Sequence, residues 1–307
     1  METTNIAYGG SIGQILRAHE RWVRGESGEG RCILDGATLN GINLTGADLE
    51  SAIIRGTTLL DAELSDAKLR KAMIEAVDFQ RALLGGADFT EAHISESDFG
   101  FGWMAEAGVS DAEIRNTGFR KSNLRAARFQ GTLIESCKFP GATLSGACFN
   151  HARVKLCDFS DSDFSDAQFV RAQLEASGFH GANGTDANFS NCRLKGCDFG
   201  RADLARARFL RADLTGSQLE RARLRDADLR EAQLGGVIFG RADLSGARFG
   251  RAMLQAADLR GADLTAAREL TSQQLAQALT DQYTILPNGS HGPYRRNSGA
   301  ERAAPRQ

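Results

Sequence analysis

Counting from Leu34, every fifth residue but one is apolar: Leu34, Leu39, Leu44, Leu49, Ile54, Leu59, and so on in one frame to Leu264. The frame holds for 47 consecutive pentapeptides without an inserted or deleted residue, and all the centres but Gly184 are apolar. Two residues before each centre stands a small side chain, as at Ala37, Ala47, Ala52 and Ala62; Ile42, Val77 and Val237 are the larger exceptions. Inward positions therefore advance by two, then three, a mean of about 2.5. That fits neither the ~3.6 of a helix nor the alternation of a flat strand. Two inward residues followed by a corner do fit.

The motif A-x-(L/F)-x-x, often A-D-L as in Ala47-Asp48-Leu49 and Ala262-Asp263-Leu264, resembles the pentapeptide-repeat family over residues 32–268. The resemblance implies an all-β solenoid: a right-handed quadrilateral parallel β-helix with four pentapeptides to a coil. Right-handed winding agrees with the general preference of parallel crossovers. About 12 coils of 20 residues are expected, a stack of about 55 Å at ~4.8 Å per coil.

A 20-residue coil sorts the centres into four columns. One is aliphatic, with Ile54, Ile74, Ile94, Ile114, Ile134 and Val154. Two others hold 15 of the 17 phenylalanines, beginning Phe79, Phe99, Phe119 and Phe89, Phe129, Phe149. These predict two facing ladders of stacked rings. Gly184 leaves a gap in the remaining column, and Phe164 stands one coil earlier; its ring is expected to lean into that gap.

The open ends need covers. Residues 1–30 form an N-terminal segment with a capping helix at about 11–24, opened by the capping box Ser11-Ile12-Gly13-Gln14 and given an apolar face by Ile12, Ile15, Leu16, Trp22 and Val23. Residues 31–268 are the repeat. A second box, Thr271-Ser272-Gln273-Gln274, opens a C-terminal capping helix within 269–286, with Leu275, Ala278 and Leu279 toward the last coil. This segment looks like the end of many bacterial members of the family. Three of the four prolines fall in the last 21 residues, so 287–307 reads as a flexible tail. The first ten residues show no signal-peptide pattern and no apolar run reaches the ~20 residues of a membrane span.

No catalytic, metal or cofactor constellation emerges. Five of the six cysteines (Cys32, Cys137, Cys157, Cys192, Cys197) take the small inward position, as enlarged alanines in a reducing, cytoplasmic setting. The five histidines have no metal spacing and read as solvated surface. Aspartates and asparagines before the centre (Asp48, Asp88, Asn123, Asp203) read as turn formers.

Binding, then, falls to the outside. Phe101 and Trp103 break the inward rule, and Leu83 lies one coil before Trp103. Charge is uneven: 12 acids and 5 bases in residues 32–100, against 9 acids and 13 arginines in 201–268. Arg201, Arg221 and Arg241 are 20 apart and should stack. The expected role is a non-catalytic scaffold with a protein partner, homodimer formation being left open. The net charge of −2 argues against direct nucleic-acid binding. The alternative is a DNA mimic that binds DNA gyrase or topoisomerase, as the quinolone-resistance members do. This chain departs from them in its basic last coils and its lack of inserted loops.

Overall fold

The computed structural model describes residues 11–26, 30–296 and 298–303. The start of the chain, on which the signal-peptide reading rests, lies outside them. The protein is a parallel β-solenoid with few helices, made of two compact units, Met1–Ala152 and Arg153–Gln307.

The corner is set by backbone. Two residues after each centre, φ is positive, both at glycines such as Gly46 (65°) and at residues such as Asp61 (56°) and Arg81 (58°). On most sides the centre's carbonyl accepts the N–H three residues on: Ala47 donates to Leu44 at 3.0 Å, and Ala207 to Leu204 at 3.0 Å. This is a β-turn with its third residue left-handed, which glycine enters freely and other residues enter at about 1–2 kcal/mol. The expected turn formers contribute: the Oδ1 atoms of Asp48, Asp88, Asn123 and Asp203 accept the N–H two residues on at 2.9–3.2 Å.

In the first unit, helix α1 (Ile12–Val23) precedes six short strands: β1 (Ile33–Asp35), β2 (Ile53–Arg55), β3 (Met73–Glu75), β4 (His93–Ser95), β5 (Glu113–Arg115) and β6 (Leu133–Glu135). They pair in parallel at a 20-residue register, Ile54 against Ile74 and Ile94 against Ile114. The Phe79, Phe99, Phe119 and Phe139 rings stack with centroids 4.6, 5.1 and 4.6 Å apart. Phe89 meets Phe99 edge-on at 6.0 Å, so the two ladders do face each other.

Gln14 Oε1 accepts the Ser11 N–H, as the capping box predicts. One expectation fails here. His19 is not at the surface; it is the buried residue of α1, while Ile12, Ile15 and Leu16 are half-buried. Its Nδ1 accepts the Cys32 N–H at 2.9 Å and its ring stacks on Trp22. Burial holds its pKa below the usual imidazole value. A sequence count of metal spacings does not see that the Cys32 N–H needs an acceptor, which His19 supplies.

The second unit carries β7 (Arg153–Lys155), β8 (Gln173–Glu175), β9 (Arg193–Lys195) and helix α2 (Ser272–Gln277). Phe159, Phe179 and Phe199 stack at 4.8 and 4.7 Å, and Phe169, Phe189 and Phe209 at 4.7 and 5.1 Å. The Phe164 ring fills the Gly184 gap: a Cβ on Gly184 would overlap its Cε2 and Cζ atoms.

At the end of this unit the coil outlasts the strict repeat. Leu279 pairs with Asp258 and Ile285 with Asp263, steps of 21 and 22 residues. Helix α2 stops at Gln277, so Leu279 is half exposed instead of covering the core, while Leu275 is buried. Gln274 does more: its Nε2 donates to the Phe249 and Ala252 carbonyls at 2.8 and 2.9 Å. The described part of the expected flexible tail folds back. The Tyr294 N–H donates to Thr280 Oγ1, its hydroxyl bonds Ser272 Oγ at 2.6 Å, and Ala300 is buried. Proline counting misses these partners because they come from side chains far along the chain.

Candidate functional site

Burial pushes the thiols up, Cys32 to about 11 and Cys192 and Cys197 to about 12, so they stay protonated at neutral pH and are poor nucleophiles. Among the described residues no three His, Cys, Asp or Glu side chains are placed to hold a metal ion. No helix among them is long and apolar enough to cross a membrane.

On the outside of the first unit, the three expected apolar residues come together. Leu83 and Trp103 are paired across adjacent coils, and Phe101 occupies the corner just before, at φ 59°. The indole lies against a bare backbone, since a Cβ on Gly85 would stand 3.4 Å from Trp103 Cδ1. Arg120 covers part of Phe101, its guanidinium carbon 5.7 Å from the ring centroid. Even so, Leu83, Phe101 and Trp103 are 44, 48 and 53% exposed. Asp78 and Asp98 stack beside them, each accepting N–H groups from its own turn.

Stacking also decides which charges meet. Asp61 and Arg81 hold the same place in successive coils and pair at 2.7 Å; Asp186 pairs so with Arg206 and Glu231 with Arg211. Hydrogen bonds from the arginine hold each of these carboxyls below its usual pKa. Arg201, Arg221 and Arg241 also stack, at φ 59°, 59° and 58°, joined by Arg201 N–H to Glu220 O and Arg221 N–H to Gly240 O, both 2.9 Å. Like is here placed on like. Among the described residues none of the three guanidinium groups makes an ion pair or hydrogen bond with a neighbour.

Sequence reasoning missed a second exposed apolar group. Ile238, Met253, Leu279 and Tyr283 are all exposed in the second unit. Ile238 and Tyr283 line a groove of about 770 Å³ together with Arg241, Glu220, Asp258 and Asp281. Ile238 carried a signal: it is an apolar residue just before a centre, the position Trp103 holds. Tyr283 did not, because it lies beyond the strict repeat.

Family models for the pentapeptide repeat region match residues 132–209 and 185–259, and one for pentapeptide repeats, eight copies, matches 32–70. Among solved structures, HetL, a pentapeptide repeat protein involved in heterocyst differentiation regulation in Nostoc, is 24% identical, covering 92% of this chain and all of that one, with a TM-score of 0.30. A pentapeptide repeat protein of the Arabidopsis thaliana thylakoid lumen is 33% identical over 32% of this chain and 68% of its own, TM-score 0.31. QnrB1, a plasmid-mediated fluoroquinolone resistance protein, is 25% identical over 56% of this chain and 85% of its own, TM-score 0.27. No curated protein matches.

Proposed function

Because the chain belongs to the pentapeptide-repeat family, we propose that it is a non-catalytic scaffold whose outer faces bind another protein. In this reading α1 and α2 close the first and last coils, and a reducing, cytoplasmic setting is in keeping with the free, buried cysteines.

The observation that carries the proposal is the Leu83–Phe101–Trp103 cluster. A chain that directs 46 of 47 centres inward as apolar residues leaves two large aromatics outside, on coils whose interior is already full. Exposed aromatics beside charged residues are typical anchors of protein interfaces. Trp103→Ser is expected to weaken capture of the partner by the immobilised protein, by about 2 kcal/mol or roughly 30-fold. Unchanged capture would refute the cluster's role. A supercoiling assay with DNA gyrase tests the alternative: inhibition would favour DNA mimicry, against which the thirteen arginines of residues 201–268 argue.

A further inference from the structure

Charge order on this surface is mostly compensating. The outward column Asp35, Arg55, Glu75 alternates in sign, as do Arg115 and Glu135, and Arg55–Glu75 and Arg115–Glu135 pair at 3.3 and 3.5 Å. Arg201, Arg221 and Arg241 form the one outward column with three like charges in consecutive coils. Like charges directly opposite each other destabilise neighbouring strands. The arrangement is costly to the isolated protein and relieved by a matching row of carboxylates.

We propose that this arginine ladder docks on the acidic, aromatic face of a second copy of the chain, with Asp78 and Asp98 opposite the arginines. The inference rests on the scaffold reading above and names its partner. The first argument is pitch. The ladder repeats once per coil, and ring stacks in the same unit set that step at 4.7–5.1 Å. An extended peptide presents same-face side chains about 6.6 Å apart, whereas stacked parallel strands present them every ~4.8 Å. Asp78 and Asp98 stand in adjacent coils at that step, with no arginine or lysine ion-paired to either among the described residues.

The second argument is charge and apolar complementarity. Residues 32–100 carry 12 acids to 5 bases, and 201–268 carry 13 arginines to 9 acids. Leu83, Phe101 and Trp103 are exposed in the same coils as the aspartates, and Ile238 and Tyr283 line the groove beside Arg241.

Sedimentation of the full chain over a concentration series, at about 20 mM and about 500 mM salt, tests this. Self-association that weakens with salt is expected. Arg201→Glu, Arg221→Glu and Arg241→Glu together should weaken it about tenfold or more, and the milder Arg→Gln triple by less. Mixing the Glu triple with Asp78→Arg/Asp98→Arg should restore mixed species. A monomer at every concentration would overturn the proposal, as would association indifferent to the triple change. So would ladder-dependent binding of a duplex oligonucleotide by a monomer. If self-association is absent but another protein still binds through Trp103, only this inference falls; if nothing binds through Trp103, the scaffold reading falls.

Discussion

Within the second unit the same corner is built in two ways. At β7 and β9 the chain stays extended past the centre, and the small residue three on does not bond back to the centre's carbonyl. At Leu214, Leu234 and Leu254 the corner is tight: Ser217, Val237 and Ala257 donate their N–H back to those carbonyls at 2.9, 3.2 and 3.1 Å. The wide corner leaves the small residue's N–H without a turn acceptor. A hydroxyl one coil later takes it: Cys157 N–H donates to Ser177 Oγ at 3.2 Å and Cys197 N–H to Ser217 Oγ at 3.3 Å. Ser217 N–H is already used by Leu214, and the residue one coil on is Val237, with no hydroxyl. In the first unit Val77 N–H likewise donates to Ser97 Oγ. Ser97, Ser177 and Ser217 thus each supply an acceptor for an N–H that no turn bond takes.

The largest test compares cores. Phe189→Ala, in the ring-filled, wide-cornered coils, should cost about 3–5 kcal/mol, and Leu224→Ala, in the leucine-filled, tight-cornered coils, about 2–5. Both are read as shifts of the urea midpoint at unchanged slope; a much smaller loss at Phe189 would mean the ladder adds little beyond bulk. Next comes the corner itself. Ser217→Ala should cost about 1–3 kcal/mol by removing the acceptor of the Cys197 N–H, while Ala257→Ser, where Val237 N–H is already bonded, should bring no gain. Equal effects would erase the distinction. The smallest effect concerns the left-handed residue that both corners share. Ala176→Gly, at φ 47°, should stabilise by about 0.5–1 kcal/mol, and Gly236→Ala, at φ 63°, should cost about 1. Opposite signs are the expected result of thermal melts.

The residues that face inward were legible because the five-residue step admits no other packing. Phe164 over Gly184 was legible for the same reason: one large and one absent side chain in neighbouring layers must compensate. The outward cluster of Leu83, Phe101 and Trp103 stood out as an exception to the frame. His19, Gln274, Tyr294 and Tyr283 were not legible. Their roles depend on which orphan carbonyl, N–H or bare face the end segments meet, and those partners lie 13 to 25 residues away or more.

Sequence alone determined the step, the coil and the filling of the core, since burying one apolar and one small residue per corner leaves a single register. Corner type was decided in three dimensions. Leu194-Lys195-Gly196 and Leu214-Thr215-Gly216 are near twins locally, yet the first belongs to β9 and the second turns. An extended corner depends on a neighbouring layer to complete its ladder, and a pentapeptide does not contain its neighbour.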